Sequence, residues 1–160
     1  IYTVVTNGTL IDDEYIELFN RYFESITISL DGYKDINDSN RCYAENNDSV
    51  YDIIMETMEK INRKKRNFYV AVEATITKNH IDDFKKTGRV STLELLQNLD
   101  IDASQHGPLI DKKTISSSLE NSDEEDVIKY FEEWIKQEFS SGNDKVRCRT
   151  IANRIDMYKK

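Results

Sequence analysis

Four stretches of this 160-residue chain carry side chains able to hold a small molecule: Thr6-Asn7-Gly8-Thr9, Ser29-Leu30-Asp31-Gly32, Thr75-Ile76-Thr77-Lys78-Asn79-His80 and Gln105-His106-Gly107. Their hydroxyls and amides both donate and accept hydrogen bonds, and the carboxylate accepts. Gly8, Gly32 and Gly107 would let backbone approach a ligand closely. Each stretch alone reads as an ordinary polar loop, since Asn-Gly is a common turn. Their shared character suggests a rim built for a polar ligand rather than a lipid. The second stretch is the densest. "ITISLDGYKDINDSNRC" turns from a β-branched run into Asp, Asn and Ser, and its arginine, Arg41, comes only at the far end.

Other chemistry is poorly supported. No G-x-G-x-x-G follows the first apolar run, and no P-loop is present. His80 and His106 are the only histidines; they lack metal-ligand spacing to either cysteine and read as loop residues. Glu73 sits mid-run among apolar residues, as an outward or paired glutamate or as a carboxylate inside a barrel. Cys42 and Cys148 form no disulfide framework, and nothing around either points to a stabilised thiolate. A reducing cytoplasm is therefore expected. With 22 basic and 30 acidic side chains the net charge is −8. That sign argues against nucleic acid or an anionic membrane as partner. No apolar run reaches the roughly 18–20 residues needed to cross a bilayer.

The elements that must position these residues follow from periodicity. Strands are expected at Tyr2–Val5, Ile26–Leu30, Phe68–Thr77 and Leu99–Ala103. The Phe68–Thr77 run suits a strand covered on both faces. Helices are expected over 12–24, from the Ser49 cap (with Asp52 as a capping-box partner) to Lys64-Lys65-Arg66, over Thr92–Asn98, and through Val127, Phe131, Trp134 and Ile135 behind a Ser122/Glu125 capping box. A further helix is expected over 145–158, after a turn at 141–144. Residues 33–47 and 111–122 read as loops, and the stretch from 81 to Thr92 has no clear assignment. Alternating strands and helices imply α/β architecture with parallel strands, either an open doubly wound sheet or part of a (β/α) barrel. Both place ligands at the C-terminal strand ends. The chain opens on Ile1 already inside a strand, and reads as a piece of something longer.

"VVTNGTLID", "ITISLDGYKDINDSNR" and "VAVEATITKNHIDD" closely resemble three consecutive segments of radical SAM enzymes. The resemblance is to the peptide- and protein-modifying branch, which includes anaerobic sulfatase maturases and thioether-forming peptide maturases. It covers residues 2–110, while 111–160 resembles a variable helical region ahead of a further domain. It implies a partial TIM barrel, about strands three to six of six. It also implies a [4Fe-4S] cluster, reductive cleavage of S-adenosylmethionine (AdoMet), and hydrogen abstraction from a peptide or protein side chain by the 5′-deoxyadenosyl radical. Ser29 and Arg41 would contact AdoMet at its ribose and carboxylate, and Asn7 would lie nearby. Asp31 matches the motif's aspartate, expected to be structural or rim-lining. The family often has His-Asp where this chain has Asn37-Asp38.

The family's C-x-x-x-C-x-x-C loop and its G-G-E-P-like segment are not in these 160 residues, and Cys42 and Cys148 do not match cluster ligands. The chain alone is therefore expected to lack radical activity. Two other readings compete. One is a non-catalytic α/β domain that self-associates through exposed sheet edges. The other is an unrelated (β/α) phosphate- or sugar-binding enzyme, for which Gln105-His106-Gly107 is poor support.

Overall fold

The computed structural model describes residues 1–41, 48–109, 118–120 and 123–140. The elements are β1 (Tyr2–Thr6), α1 (Asp13–Tyr22), β2 (Phe23–Ser29), α2 (Lys34–Asn40), α3 (Val50–Arg63), β3 (Tyr69–Ile76), α4 (Lys78–Thr87), α5 (Ser91–Asn98), β4 (Ala103–Pro108) and α6 (Glu124–Ser140). Cys42, Cys148, Ser122 and the turn and helix expected over 141–158 lie outside the described residues, as does most of the 111–122 loop.

All strand pairs are parallel, and the sheet order is β1-β2-β3-β4. That order decides between the two architectures. When each strand is laid beside its predecessor in one direction, right-handed crossovers put every helix on the same face. The result curls toward a barrel, whereas a doubly wound sheet reverses direction and carries helices on both faces.

Burial follows from this. Ile26, Ile28, Val70, Val72 and Ile76 point toward the helices and are fully buried against Ile16, Ile54, Ile61, Ile81 and Leu93. Alternate residues point to the other face, where Thr27, Ser29, Glu73 and Thr75 are only half-buried and Gln105 is exposed. The two-sided cover expected for β3 is thus one-sided among the described residues.

Caps set the helix starts. Asp12 Oδ1 accepts from the Tyr15 N–H (3.0 Å), and Ser49 Oγ from the Asp52 N–H (3.1 Å). Only half of the expected Ser49/Asp52 box forms, because the Asp52 carboxylate pairs with Lys34 instead.

Several elements differ from expectation. β2 begins at Phe23, which pairs with Tyr2 across the sheet and meets Phe19 edge-on at 5.0 Å. The polar loop from residue 33 contains α2, a helix with no apolar stripe to announce it. Residues 78–87 form α4. β4 runs over Ala103–Pro108, not Leu99–Ala103: Leu99 caps α5 and Ile101 drops into the core, so pairing with β3 starts later. Pro108 is tolerated because it ends an edge strand. Neither histidine is a loop residue. His80 is buried in α4, and His106 is buried in β4 with its ring 4.1 Å from that of Trp134.

Candidate functional site

The polar residues singled out from sequence converge at the C-terminal ends of β1, β2 and β3. Thr6 pairs with Ile28, so Asn7 and Ser29 each stand one residue beyond that pair. Ser29 is the last residue of β2 and pairs with Glu73 of β3. Glu73 in turn pairs with Gln105 of β4. Residues paired across parallel strands point to one face, so Ser29, Glu73 and Gln105 form a polar row on the side away from the helices. This resolves the two readings of Glu73 in favour of the interior face of the partial barrel.

Asp31 is the most constrained residue of the site, with its side chain 2% exposed. Arg41 donates to it twice, from Nε to Oδ2 (2.9 Å) and from Nη2 to Oδ1 (3.1 Å). The Thr75 N–H donates to Oδ1 (2.9 Å), and Asn40 Nδ2 reaches Oδ2 (3.4 Å). The Asp31 N–H donates to Asn37 Oδ1 (3.1 Å). Its carbonyl accepts from His80 Nε2 (2.6 Å) and Thr92 Oγ1 (3.2 Å). One residue thus ties the end of β2 to α2, β3, α4 and α5. The carboxylate is committed to protein donors and does not line the rim.

His80 adopts a defined tautomer. Its Nδ1 accepts from the Thr77 N–H (3.0 Å), so Nε2 carries the hydrogen that goes to Asp31. Here histidine does the reciprocal work usually done by Glu or Gln in a capping box. Burial pushes the His80 pKa below its ordinary value, against the raising effect of the Asp31 carbonyl and carboxylate. Burial, with a smaller contribution from His80, lowers His106 to about 3.

The arm carrying Arg41 is fixed on its other side by Asp38. That carboxylate accepts from Ser49 Oγ and from the Tyr51 N–H (2.9 Å), bracing α2 against the start of α3. Burial raises the Asp38 pKa, but these bonds and one from Asn37 outweigh it and hold the carboxyl below its usual range.

Asn7 Oδ1 accepts from Thr9 N and Oγ1 (3.2 and 3.0 Å), an Asx turn at the end of β1. Two of the three glycines serve packing rather than a ligand. A Cβ on Gly8, whose φ is +78°, would sit 3.0 Å from Ile28 Cγ2; one on Gly32 would sit 3.1 Å from Thr92 Oγ1. Gly107 faces open space. Sequence reasoning missed Asn37, Asn40, Thr75, His80 and Thr92 as the residues that organise Asp31. Among the described residues, no group of three or more His, Cys, Asp or Glu could hold a metal ion.

A parallel β/α sheet with its strands in sequential order and a polar rim at their C-terminal ends agrees with the partial barrel that the sequence resemblance implies. A curated relative, the cysteine-type anaerobic sulfatase-maturating enzyme of Clostridium novyi (strain NT), is 32% identical over 97 residues, which are 60% of this chain and 26% of the relative. Among solved structures, native anSMEcpe with bound AdoMet superposes with a TM-score of 0.69 at 18% identity, over 91% of this chain and 39% of that one. Native anSMEcpe with AdoMet and the Cp18Cys peptide gives 0.68 at 19% identity, over 91% and 40%. No protein-family model matches. The chain resembles the radical SAM sulfatase maturases in sequence and shares their fold, while spanning about a quarter of the curated relative and two fifths of the solved structures.

Asp31→Asn removes the charge that holds Arg41 while keeping one acceptor for Thr75. Breaking a buried pair from one side is costly, and the partial exposure of Arg41 lessens it, so the expected loss is about 2 kcal/mol, read by urea unfolding. Stability should also depend on pH through the buried histidines. Burial favours the neutral form of both in the native state, whereas the unfolded chain takes up protons below about pH 6.5. Their contribution is complete above that pH and is lost as pH falls toward about 3 for His106. Denaturation at pH 7 and pH 5 should show lower stability at pH 5, by up to about 1.4 kcal/mol per pH unit below pH 6.5 from His106, with His80 acting in the same direction.

Proposed function

We propose that this chain supplies part of the AdoMet-binding wall, and part of the substrate rim, of a radical SAM enzyme that modifies peptide or protein side chains. The observation that carries this reading is the shared fold: 91% of the chain follows a protein solved with AdoMet bound, and in two structures with a peptide as well. The identity to a sulfatase-maturating enzyme points the same way. Residues 1–110 would be the barrel portion and 111–160 a helical region leading to a further domain. A cytoplasmic setting would suit such a protein; among the described residues, no helix is long and apolar enough to cross a membrane.

The residues present suit AdoMet. Ser29 ends β2 with its hydroxyl unbonded to any described residue, and can bond a ribose hydroxyl. Arg41 is 30% exposed and carries more N–H donors than the two on Asp31, so it can add a ligand carboxylate. Asn7 offers its amide nitrogen beside Ser29. Asp31 would act through Arg41, aiming the guanidinium rather than touching the ligand. A four-iron cluster finds no such fit: the two cysteines are 148 − 42 = 106 positions apart. When AdoMet and a cluster are bound together they supply the radical chemistry. This chain's residues would orient the cofactor.

Titration calorimetry should detect saturable AdoMet binding, weakened about tenfold or more by Arg41→Ala. Incubation with iron, sulfide, reductant and AdoMet should form no 5′-deoxyadenosine. Absence of binding to the unaltered chain would overturn the cofactor reading, and formation of the nucleoside would overturn the expectation of inactivity.

A second reading, a self-associating non-catalytic domain, has its own support. Along the β1 edge Tyr2 is 65% exposed, Val5 63% and Leu10 79%, beside an apolar groove of about 280 Å³ formed with Tyr15, Leu18 and Phe23. Such an edge is a template for another chain. Sedimentation equilibrium at rising concentration should then reveal a dimer, and a clean monomer throughout removes this reading.

A further inference from the structure

Helix α6 is apolar on two sides. Tyr130 and Trp134 are buried against the rest of the domain. On the other side Ile128 is 52% exposed, Ile135 37% and Phe139 68%. At about 100° per residue these three fall on one stripe, and half-buried Phe131 borders it. One apolar stripe on a helix needs one partner, and a second stripe of large apolar side chains marks a second. The helix is also acidic, with six Asp or Glu against two Lys over Glu124–Ser140. Its second partner should therefore be apolar along one side and basic around it.

We propose that this stripe is the docking surface for residues 145–158 of the same chain, folded back on α6 as an antiparallel helical hairpin. That segment lies outside the described residues, and its sequence meets each requirement. Residues 141–160 carry six Lys or Arg against two Asp. Ile151, Ile155 and Tyr158 recur at helical spacing, and Arg147 and Arg154 flank them. Four residues, Ser141-Gly142-Asn143-Asp144, separate the segment from α6, within the roughly two to five that join antiparallel helices. Gly142 suits the end of one helix and Asp144 the N-cap of the next. The register closes as well. Ile135 and Ile151 lie equally far from Asn143 (143 − 135 = 151 − 143 = 8). So do Phe131 and Ile155 (143 − 131 = 155 − 143 = 12), and Ile128 and Tyr158 (143 − 128 = 158 − 143 = 15). A second copy of the chain is a poorer occupant, since two α6 helices face to face would oppose like charges. Docking would clamp α6 from outside, and with it Trp134 over His106 of β4. The inference is independent of what the strand-end rim binds.

The test places cysteine pairs in a chain whose own Cys42 and Cys148 are replaced by Ser. Ile128→Cys with Tyr158→Cys is the pair that the register brings together. Ile128→Cys with Asn153→Cys puts the second thiol on the opposite side of the same helix, and nearer in sequence. Under oxidised glutathione the first pair should close an intramolecular disulfide about tenfold or more faster than the second. Equal rates, or a faster second pair, overturn the inference. A covalent dimer as the main product of the first pair assigns the stripe to a second copy and overturns it too. Hydrogen exchange supplies an independent reading. In the unaltered chain the amides of 148–158 should exchange about tenfold or more slowly than in an unstructured peptide. Ile135→Asp should remove that protection while β2 and β3 keep theirs. Full-rate exchange over 148–158 in the unaltered chain overturns the inference without any variant, and so does protection that survives Ile135→Asp. If Ile135→Asp unfolds the sheet as well, the unaltered chain and the cysteine pairs still decide.

Discussion

A carboxylate shut away from water must find donors for both its oxygens, and Asp31 meets that demand by drawing in whatever surrounds the end of β2. Arg41 and Asn40 come from the end of α2, and Thr75 offers its backbone N–H from β3. The rest of the residue is held as firmly. Its N–H goes to Asn37, and its carbonyl takes His80 and Thr92. This explains why so polar a segment as Lys34–Asn40 folds into a helix. Asn37, Asn40 and the arginine after it bond to Asp31, so α2 gains tertiary bonds that its composition would not suggest.

The second determinant is the direction in which strands are added. Because β1, β2, β3 and β4 succeed one another in order, the helices all fall on one side and the apolar halves of β2 and β3 go with them. The other side keeps the alternate residues, which are polar near the rim. A face lined by Thr27, Ser29, Glu73 and Thr75 would be a poor core. It is a reasonable wall for a hydroxylated and charged small molecule.

Much of this was legible in sequence, and the parts that were not share a cause. Strands such as Val70–Ile76 and the stripe Ile54, Met58, Ile61 in α3 declare themselves through apolar periodicity. So did the placement of Asn7, Ser29 and Asp31 at one edge, since strand ends in a parallel sheet share an edge by construction; the place of Arg41 beside them came only from the family resemblance. β4 was misplaced because Ser104-Gln105-His106-Gly107-Pro108 has weak strand propensity and is recruited by β3, a tertiary effect. α2 was missed because no apolar stripe marks it. The histidines were misread because burial depends on what packs above them: Trp134, which covers His106, lies 134 − 106 = 28 positions away. Whether an aspartate faces a ligand or an arginine, as with Asp31, is likewise invisible until the loop that carries the arginine has been folded back.

The successive strand order bears on how the chain is made. Each parallel pair joins segments close in sequence, so pairing can proceed as residues leave the ribosome, with β1 meeting β2 and then β3 before the rest exists. The bonds around Asp31 do not follow that schedule. Arg41 is available early, but His80 and Thr92 are the last of its partners to be translated, by which time three strands are already in place. Vectorial synthesis would thus assemble the first three strands and fasten the rim at their C-terminal ends afterwards, so that this rim becomes rigid later than the strands that carry it.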